Sequence, residues 1–301
     1  MPLEVDTISL DVFSIESNLL IARDDAFPFF MGGNKARKIV KIIADIEKNN
    51  CNAVVTTGGI QSNHCRVVAL ACASKGWKCK LVLHGSREKF FSEKGNALLM
   101  RLSDAQLEFV IPADIGSAME KSMGDFRSQG LNPYYIHGGG HNKAGVEAYI
   151  EAVHELKDAL PDGNAIDNIF LASGTGSTQA GLIAGCREVN WIQTRVHGIS
   201  IAREKHIGVK AILESLGFIY PNPDVFFNNI IFHNDFLFGG YGISDQKLRD
   251  FIIYVANKTG VIIDDTYTGK AFWGMIQIIK REKLSGNMLF WHTGGLLNIM
   301  A

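Results

Sequence analysis

From residue 34 onward the chain alternates between two hydrophobic rhythms. Short apolar runs, several of them rich in β-branched residues, recur at 53–57, 79–84, 107–111, 133–137, 166–171, 196–201, 230–233 and 288–291. Runs of this length fit strands buried on both faces of a parallel sheet. Between them lie amphipathic segments. Ile39, Val40, Ile42, Ile43 and Ile46 repeat at helical spacing, with Lys41, Asp45, Glu47 and Lys48 on the opposite face. Further helices are expected over 65–75, 96–102, 115–129, 144–159 and 207–216, one running through Arg187, one over 246–259 capped by Ser244, and one to about Arg281. A turn is expected at Pro161-Asp162-Gly163, and the apolar runs 8–13 and 19–22 read as a short hairpin. Strand–helix alternation on this scale predicts an α/β fold of open, twisted parallel sheets with helices on both faces.

Composition narrows the class without choosing a function. Of 301 residues, 47% are hydrophobic and 20% charged, ordinary values for a folded globular chain, and the net charge of −1 offers no attraction to nucleic acid. No apolar run reaches the ~18 residues of a membrane span. The first six residues lack the basic-then-apolar plan of a signal peptide. Cys51, Cys65, Cys72, Cys79 and Cys186 are odd in number, contain no CxxC pair and sit mostly in apolar stretches, which suits reduced, buried thiols in a cytoplasmic protein. His64, His137, His141 and His292 have no carboxylate or thiolate partners at metal-binding spacing, so no metal is expected. Phe27, Phe29, Phe30, Trp273 and Trp291 read as core or interface, and Arg87-Glu88-Lys89 as a solvated face.

Three stretches carry candidate chemistry. In Met31-Gly32-Gly33-Asn34-Lys35 a glycine pair leads into a lysine at the start of an amphipathic helix. The positive end of a helix disfavours a second cation and lowers a lysine pKa from its free value of about 10.4. A partly deprotonated lysine can form a Schiff base with a carbonyl compound. The loop Gly174-Thr175-Gly176-Ser177-Thr178 joins a strand to a helix, so backbone N–H groups, hydroxyls and the helix end can converge on an anion. It lacks the Lys-Ser/Thr pair of a Walker loop and the glycine spacing of a dinucleotide fingerprint. The loop 58–64 also closes a strand, and it presents Ser62, Asn63 and His64 at the edge where α/β proteins bind ligands; Ser62 or Asn63 could equally cap the next helix. A Schiff-base lysine, a phosphate cradle without nucleotide signature and a polar strand-end loop together indicate pyridoxal 5′-phosphate (PLP).

The stretches GGNKARK, GGIQSNHCR, SGTGSTQAG, YTGKAFWGM and HTGG, in that order, resemble the PLP-dependent D-cysteine desulfhydrase and 1-aminocyclopropane-1-carboxylate deaminase family, from about residue 20 to the end. The resemblance implies the tryptophan-synthase-β-like fold, fold type II, with a large PLP-binding domain (1–37 and 146–301), a small α/β domain (38–145) and the cofactor in the cleft between them. It implies that Lys35 carries PLP, that Asn63 hydrogen-bonds its 3′-oxygen and that Gly174, Thr175, Gly176, Ser177 and Thr178 bind its phosphate. Ser62 would sit over the substrate, gripping its carboxylate or relaying a proton, and Tyr267 and Tyr241 match active-site tyrosines. A homodimer is also implied.

Two positions discriminate within the family. The deaminases resembled carry a glutamate facing the pyridine nitrogen and a leucine in the closing loop; this chain has Thr268 and Thr293, as the desulfhydrases do. A neutral hydroxyl leaves the ring a weaker electron sink than a carboxylate does, which suffices when a good β-leaving group departs. The expectation is therefore a lyase that eliminates hydrosulfide from D-cysteine, giving pyruvate and ammonia, with Lys35 removing the α-proton and Tyr267 assisting departure. The alternatives are a cyclopropane-opening deaminase, a β-replacement synthase or, in a different class, a non-catalytic binder of an anionic small ligand. Asp264-Asp265-Thr266 replaces the usual Asp-Pro-Val before Tyr267, His141 stands where a small residue is commoner, and the N-terminal segment is short and lacks Thr-Pro-Leu; these departures bear on the substrate pocket.

Overall fold

The computed structural model describes residues 3–161 and 164–301. The reading of the N-terminal hexapeptide rests partly on Met1 and Pro2, and the turn expected at 161–163 on Asp162 and Gly163, all outside the described residues. The chain divides into two compact units, 1–27 with 146–296 and 28–145 with 297–301.

The first unit is built on a six-stranded sheet. Its strands are β1 (Val5–Ser9), β2 (Asn18–Ala22), β7 (Asn168–Ser173), β8 (Arg195–Ser200), β9 (Ile230–His233) and β10 (Met288–Trp291), in the order β1-β2-β10-β7-β8-β9. All neighbours are parallel except β1 and β2, which form the antiparallel hairpin suggested by the two N-terminal apolar runs. Helices α6 (Lys143–Ala159), α7 (Ser177–Glu188) and α8 (Lys205–Gly217) contribute to one apolar cluster, with Tyr149, Leu182, Ile212 and Trp291. Helices α9 (Gln246–Thr259) and α10 (Thr268–Glu282) contribute to the other, with Phe170, Val255, Phe272 and Phe290. Their side chains derive from opposite faces of the strands, as a sheet covered on both sides requires.

The second unit carries a four-stranded, wholly parallel sheet in the order β5-β4-β3-β6, from β3 (Ala53–Gly59), β4 (Lys78–His84), β5 (Gln106–Val110) and β6 (Pro133–Ile136). Its helices are α1 (Asn34–Lys48), α2 (Asn63–Lys75), α3 (Arg87–Ser92), α4 (Gly95–Leu102) and α5 (Ile115–Ser128). Ala118, Met119, Met123 and Phe126 of α5 pack on Ala53, Val55 and Val82.

Several expectations change in detail. The cap of α9 is Asp245, whose carboxylate accepts from Leu248 N at 2.8 Å; Ser244 instead donates to Asp265 Oδ2 at 2.8 Å. An ionised side chain one position nearer the helix meets the first free N–H groups better than the hydroxyl does. The strand expected from Ile166 begins at Asn168, and Arg87-Glu88-Lys89 lies on the short helix α3, where Arg87 covers the Phe91 and Phe109 rings. Four cysteines are buried and Cys51 is partly exposed, all with free thiols. Phe29 is exposed, and Trp291 is fully buried.

A histidine pair makes the first unit sensitive to acid. His197 Nε2 lies 3.1 Å from the Asn168 carboxamide oxygen and its Nδ1 lies 3.1 Å from His233 Nε2. An Nε2–H on each ring satisfies both contacts, so both are neutral donors. Burial, then His233 and Arg195, push His197 down to about 3. Between that value and 6.5 the unfolded chain binds a proton that the folded chain refuses, so this contribution to stability is complete above about pH 6.5 and is lost as pH falls toward 3. Urea titrations from pH 7 to pH 4.5 are expected to show a slope approaching ~1.4 kcal/mol per pH unit from this site. His197→Gln should flatten it; an unchanged slope would remove His197 as the cause.

Candidate active site

In the second unit the lysine loop is wound the wrong way for L-residues. Phe30, Met31, Gly32 and Gly33 have φ of 49°, 64°, 70° and 87°. Two of the four are not glycine, a conformation that costs about 1–3 kcal/mol per residue unless the surroundings impose it. The buried guanidinium of Arg66, on α2, supplies the constraint: it donates to the carbonyls of Phe30, Met31 (3.0 Å) and Gly32 (3.3 Å). The loop delivers Lys35 as the second residue of α1, a helix with no acidic residue in its first turn. Lys35 Nζ donates to Gly139 O at 3.1 Å. Desolvation of the ammonium lowers its pKa to about 8.

On the neighbouring loop, Ser62 is the N-cap of α2, its Oγ accepting from Cys65 N at 3.1 Å. The capping role therefore holds for Ser62, and any proton relay through it must use its O–H alone. Asn63 follows as the first helical residue, with its Oδ1 3.1 Å from Asn96 Nδ2. His64 is buried, and its Nε2 sits 2.8 Å from Thr56 Oγ1, which donates its own proton to Ile136 O. His64 is thus the Nε2–H tautomer, and burial, then Lys35 and Lys38, hold its pKa well below the imidazole range. It is a structural, neutral histidine.

In the first unit β7 runs through Ser173 into Gly174 and Thr175, and Gly176 precedes α7. Gly176 has φ of 92°, and a Cβ there would lie 2.8 Å from the Ala211 backbone on α8. As the N-cap of α7, Gly176 makes no side-chain cap hydrogen bond.

Two more loops of this unit carry the tyrosines. The hydroxyls of Tyr241 and Tyr267 are 2.6 Å apart, with the rings at 77°. Buried Lys270 donates to Leu237 O (2.8 Å) and to Gly240 O, tying down the glycine-rich loop that bears Tyr241. Buried Asp264 ties down the other: its carboxylate accepts from the N–H groups of Thr266 (3.2 Å), Tyr267 (3.1 Å) and Thr268 (2.7 Å) and from Thr268 Oγ1 (2.6 Å). Gly295 of the HTGG stretch, at φ 95°, makes room for it, since a Cβ would lie 2.7 Å from the Asp264 carboxyl. Thr268 Oγ1 also accepts from Asp264 N at 2.9 Å, so this buried hydroxyl has both a donor and an acceptor contact inside the chain. Thr293 is buried without an equivalent pair of bonds among the described residues.

A model of the pyridoxal-phosphate dependent enzymes matches residues 6–294. The chain belongs to the pyridoxal-phosphate dependent enzyme family. The family's cofactor is pyridoxal phosphate, so an enzyme of this class is in hand. The chain is 32% identical over 291 residues to a D-cysteine desulfhydrase of Klebsiella pneumoniae, an alignment covering 92% of this chain and 86% of the relative. Among solved structures it resembles an ACC deaminase homologue (TM-score 0.87, 27% identity, 100% of this chain and 91% of the other). It shares its fold with a hydrogen sulfide-producing enzyme from Fusobacterium nucleatum (TM-score 0.70, 16% identity, 98% and 95%).

The residues fit the cofactor. An amine with its pKa lowered to about 8 suits a carbonyl partner, and a glycine turn at the N-terminus of α7, with no room for a Cβ and no side-chain cap, is of the kind that binds an anion. At the end of β7, the Ser173 hydroxyl is buried without a hydrogen-bond partner. Reading the sequence missed Arg66, Asn96, Asp264 and Lys270. Two signals were available: Arg66 and Lys270 are lone cations inside otherwise apolar helical stretches, an expensive placement unless they have a task.

Proposed function

We propose that this protein is a PLP-dependent carbon–sulfur lyase that converts D-cysteine and water into pyruvate, ammonia and hydrogen sulfide. The observation that carries the reading is the Lys35 amine, with its pKa lowered to about 8 at the acid-free start of α1. The 32% identity to a D-cysteine desulfhydrase supports the choice of substrate.

When bound, the cofactor withdraws electrons from the substrate α-carbon. Lys35 Nζ anchors it and then, once free, removes the α-proton; Gly139 O is the acceptor that orients the amine. Asn63 donates to the cofactor 3′-oxygen, and Gly174, Thr175, Gly176, Ser177 and Thr178 bind its phosphate. Thr268, engaged with Asp264, would stand on the side of the ring nitrogen, and Thr293 would line the same site from the closing loop. Ser62 holds the substrate carboxylate. In the tyrosine pair the two hydroxyls hydrogen-bond to each other at 2.6 Å, and Tyr267 is assigned delivery of a proton to hydrosulfide as the C–S bond breaks. Hydrolysis of the remaining C=N bond gives pyruvate and ammonia. Residence in the cytoplasm and assembly as a homodimer complete the proposal.

A substrate panel tests it. Pyruvate and sulfide are expected from D-cysteine at a kcat/KM at least about tenfold above that for L-cysteine, a preference of ~1.4 kcal/mol. Release of 2-ketobutyrate from 1-aminocyclopropane-1-carboxylate as the main reaction would replace the lyase reading with ring opening. Amino-acid products formed only with an added nucleophile would indicate β-replacement.

A further inference from the structure

Asn96 is a fully buried carboxamide in the first turn of α4. Its Nδ2 lies 3.2 Å from Gln61 O, 3.1 Å from Asn63 Oδ1 and 2.8 Å from Asn298 Oδ1. All three acceptors belong to the second unit, the last of them to its C-terminal segment. A carboxamide has two ends of nearly equal shape, and only its hydrogen bonds decide which is which. Here one partner cannot turn round. Gln61 O is a backbone carbonyl, which only accepts, so the Asn96 NH2 must face it. With Asn96 fixed in that sense, the end of Asn63 that meets it must be the oxygen. Reversing Asn63 would set NH2 against NH2. The Asn63 NH2 is then the end turned away, and it makes no hydrogen bond within the chain among the described residues.

We propose that Asn96 is a positioning residue which fixes Asn63 as a hydrogen-bond donor toward the 3′-oxygen of the cofactor. Orientation is passed from the Gln61 carbonyl through Asn96 to Asn63, with Asn298 holding Asn96 from the chain's C-terminal end. The inference rests on the proposed role of Asn63 and on PLP attachment to Lys35. It adds that the sign of the Asn63 contact is set two residues back in a buried network. A donor at the 3′-oxygen favours its phenolate form, whereas a carbonyl oxygen placed there would repel it.

The experiment compares reconstituted holoprotein of the wild type with Asn96→Asp, Asn63→Ala and the double variant, by absorbance titration of bound PLP and by PLP affinity. Asn96→Asp keeps the shape and replaces the donor with an acceptor, so Asn63 should turn its NH2 toward the new carboxylate. Expected are a change in the pH dependence of the cofactor absorption band and about tenfold weaker PLP binding, the loss of ~1.4 kcal/mol. Asn63→Ala should move the same band, and the double variant should match it rather than add to it. Asn96→Ala, which removes the donor without adding charge, is expected to shift the band in the same direction by less, and it stands in should the buried carboxylate prevent folding. A natively folded Asn96→Asp or Asn96→Ala protein with the wild-type band and affinity would overturn the inference, as would additive effects in the double variant. Failure of the wild type to take up PLP on Lys35 is a separate result, and it would overturn the reading of the site itself.

Discussion

Lys35→Ala is expected to reduce D-cysteine turnover by about 10³-fold, within the range for losing a positioned proton-transfer group, and to remove the borohydride-stable PLP adduct entirely. The environment of the amine says why this lysine is the one expected to carry the cofactor. With its pKa lowered to about 8, roughly 9% of Lys35 is neutral at pH 7, against ~0.04% for a free lysine. The sign follows from the cause: desolvation penalises the ammonium, so the reactive form gains at every pH below 8. Reductive trapping of pyridoxal on the apoprotein should therefore rise with pH to about 8 and level off, while solvent-exposed lysines continue to gain toward pH 10. Peptide mapping after borohydride locates the label. Recovery on any lysine other than Lys35, or a rate at Lys35 that keeps rising with the exposed lysines, would remove it from the role.

How much of this could be read from the chain itself depends on how local the physics is. The helices over α1, α5, α6 and α9 follow from apolar spacing, and β3, β4 and β7 from buried runs between helices, because each pattern reports its own element. The strand-to-helix turns bearing Ser62 and Gly176 were legible for the same reason. Their consequences were not. Nothing near Ser62 tells whether its oxygen caps a helix or meets a substrate until Cys65 N is found 3.1 Å away. The insertion of β10 between β2 and β7 joins segments some 270 and 120 residues apart, a pairing no local period encodes. The loop anchors are non-local in the same sense: Lys270 reaches back to Leu237 and Gly240, and Asn96 reaches forward to Asn298. Thr268 illustrates the reverse case. The sequence shows a neutral hydroxyl there, but its bonds to Asp264, only four positions away, decide what that hydroxyl can still do.

The second large effect is expected at Arg66. Arg66→Met keeps the apolar stem of the side chain while removing every donor, so the carbonyls of Phe30, Met31 and Gly32 lose their partner together, the last of them in a buried residue. An unsatisfied buried polar group costs about 1–3 kcal/mol, less where water reaches it as at Phe30 and Met31, and relief of the left-handed loop returns part of that, so a net loss of about 3 kcal/mol is expected. For a chain of this size that corresponds to a fall in Tm of roughly 5 °C. The isolated guanidinium itself is costly: no carboxylate lies within ion-pair distance of it among the described residues, and burial pushes its pKa down to about 10. A cation kept under those conditions must be worth more to the loop than it costs the core. Arg66→Lys separates charge from geometry, since an ammonium retains the positive charge but lacks the fork that spans successive carbonyls. It should recover part of the stability and little of the order in the loop. Amide exchange over residues 30–36 and the rate of PLP trapping on Lys35 read that order directly. Faster exchange and slower trapping are expected in both variants, most in Arg66→Met. A methionine variant with wild-type Tm, exchange and trapping rate would show that the left-handed run sustains itself and that the buried guanidinium serves some other group.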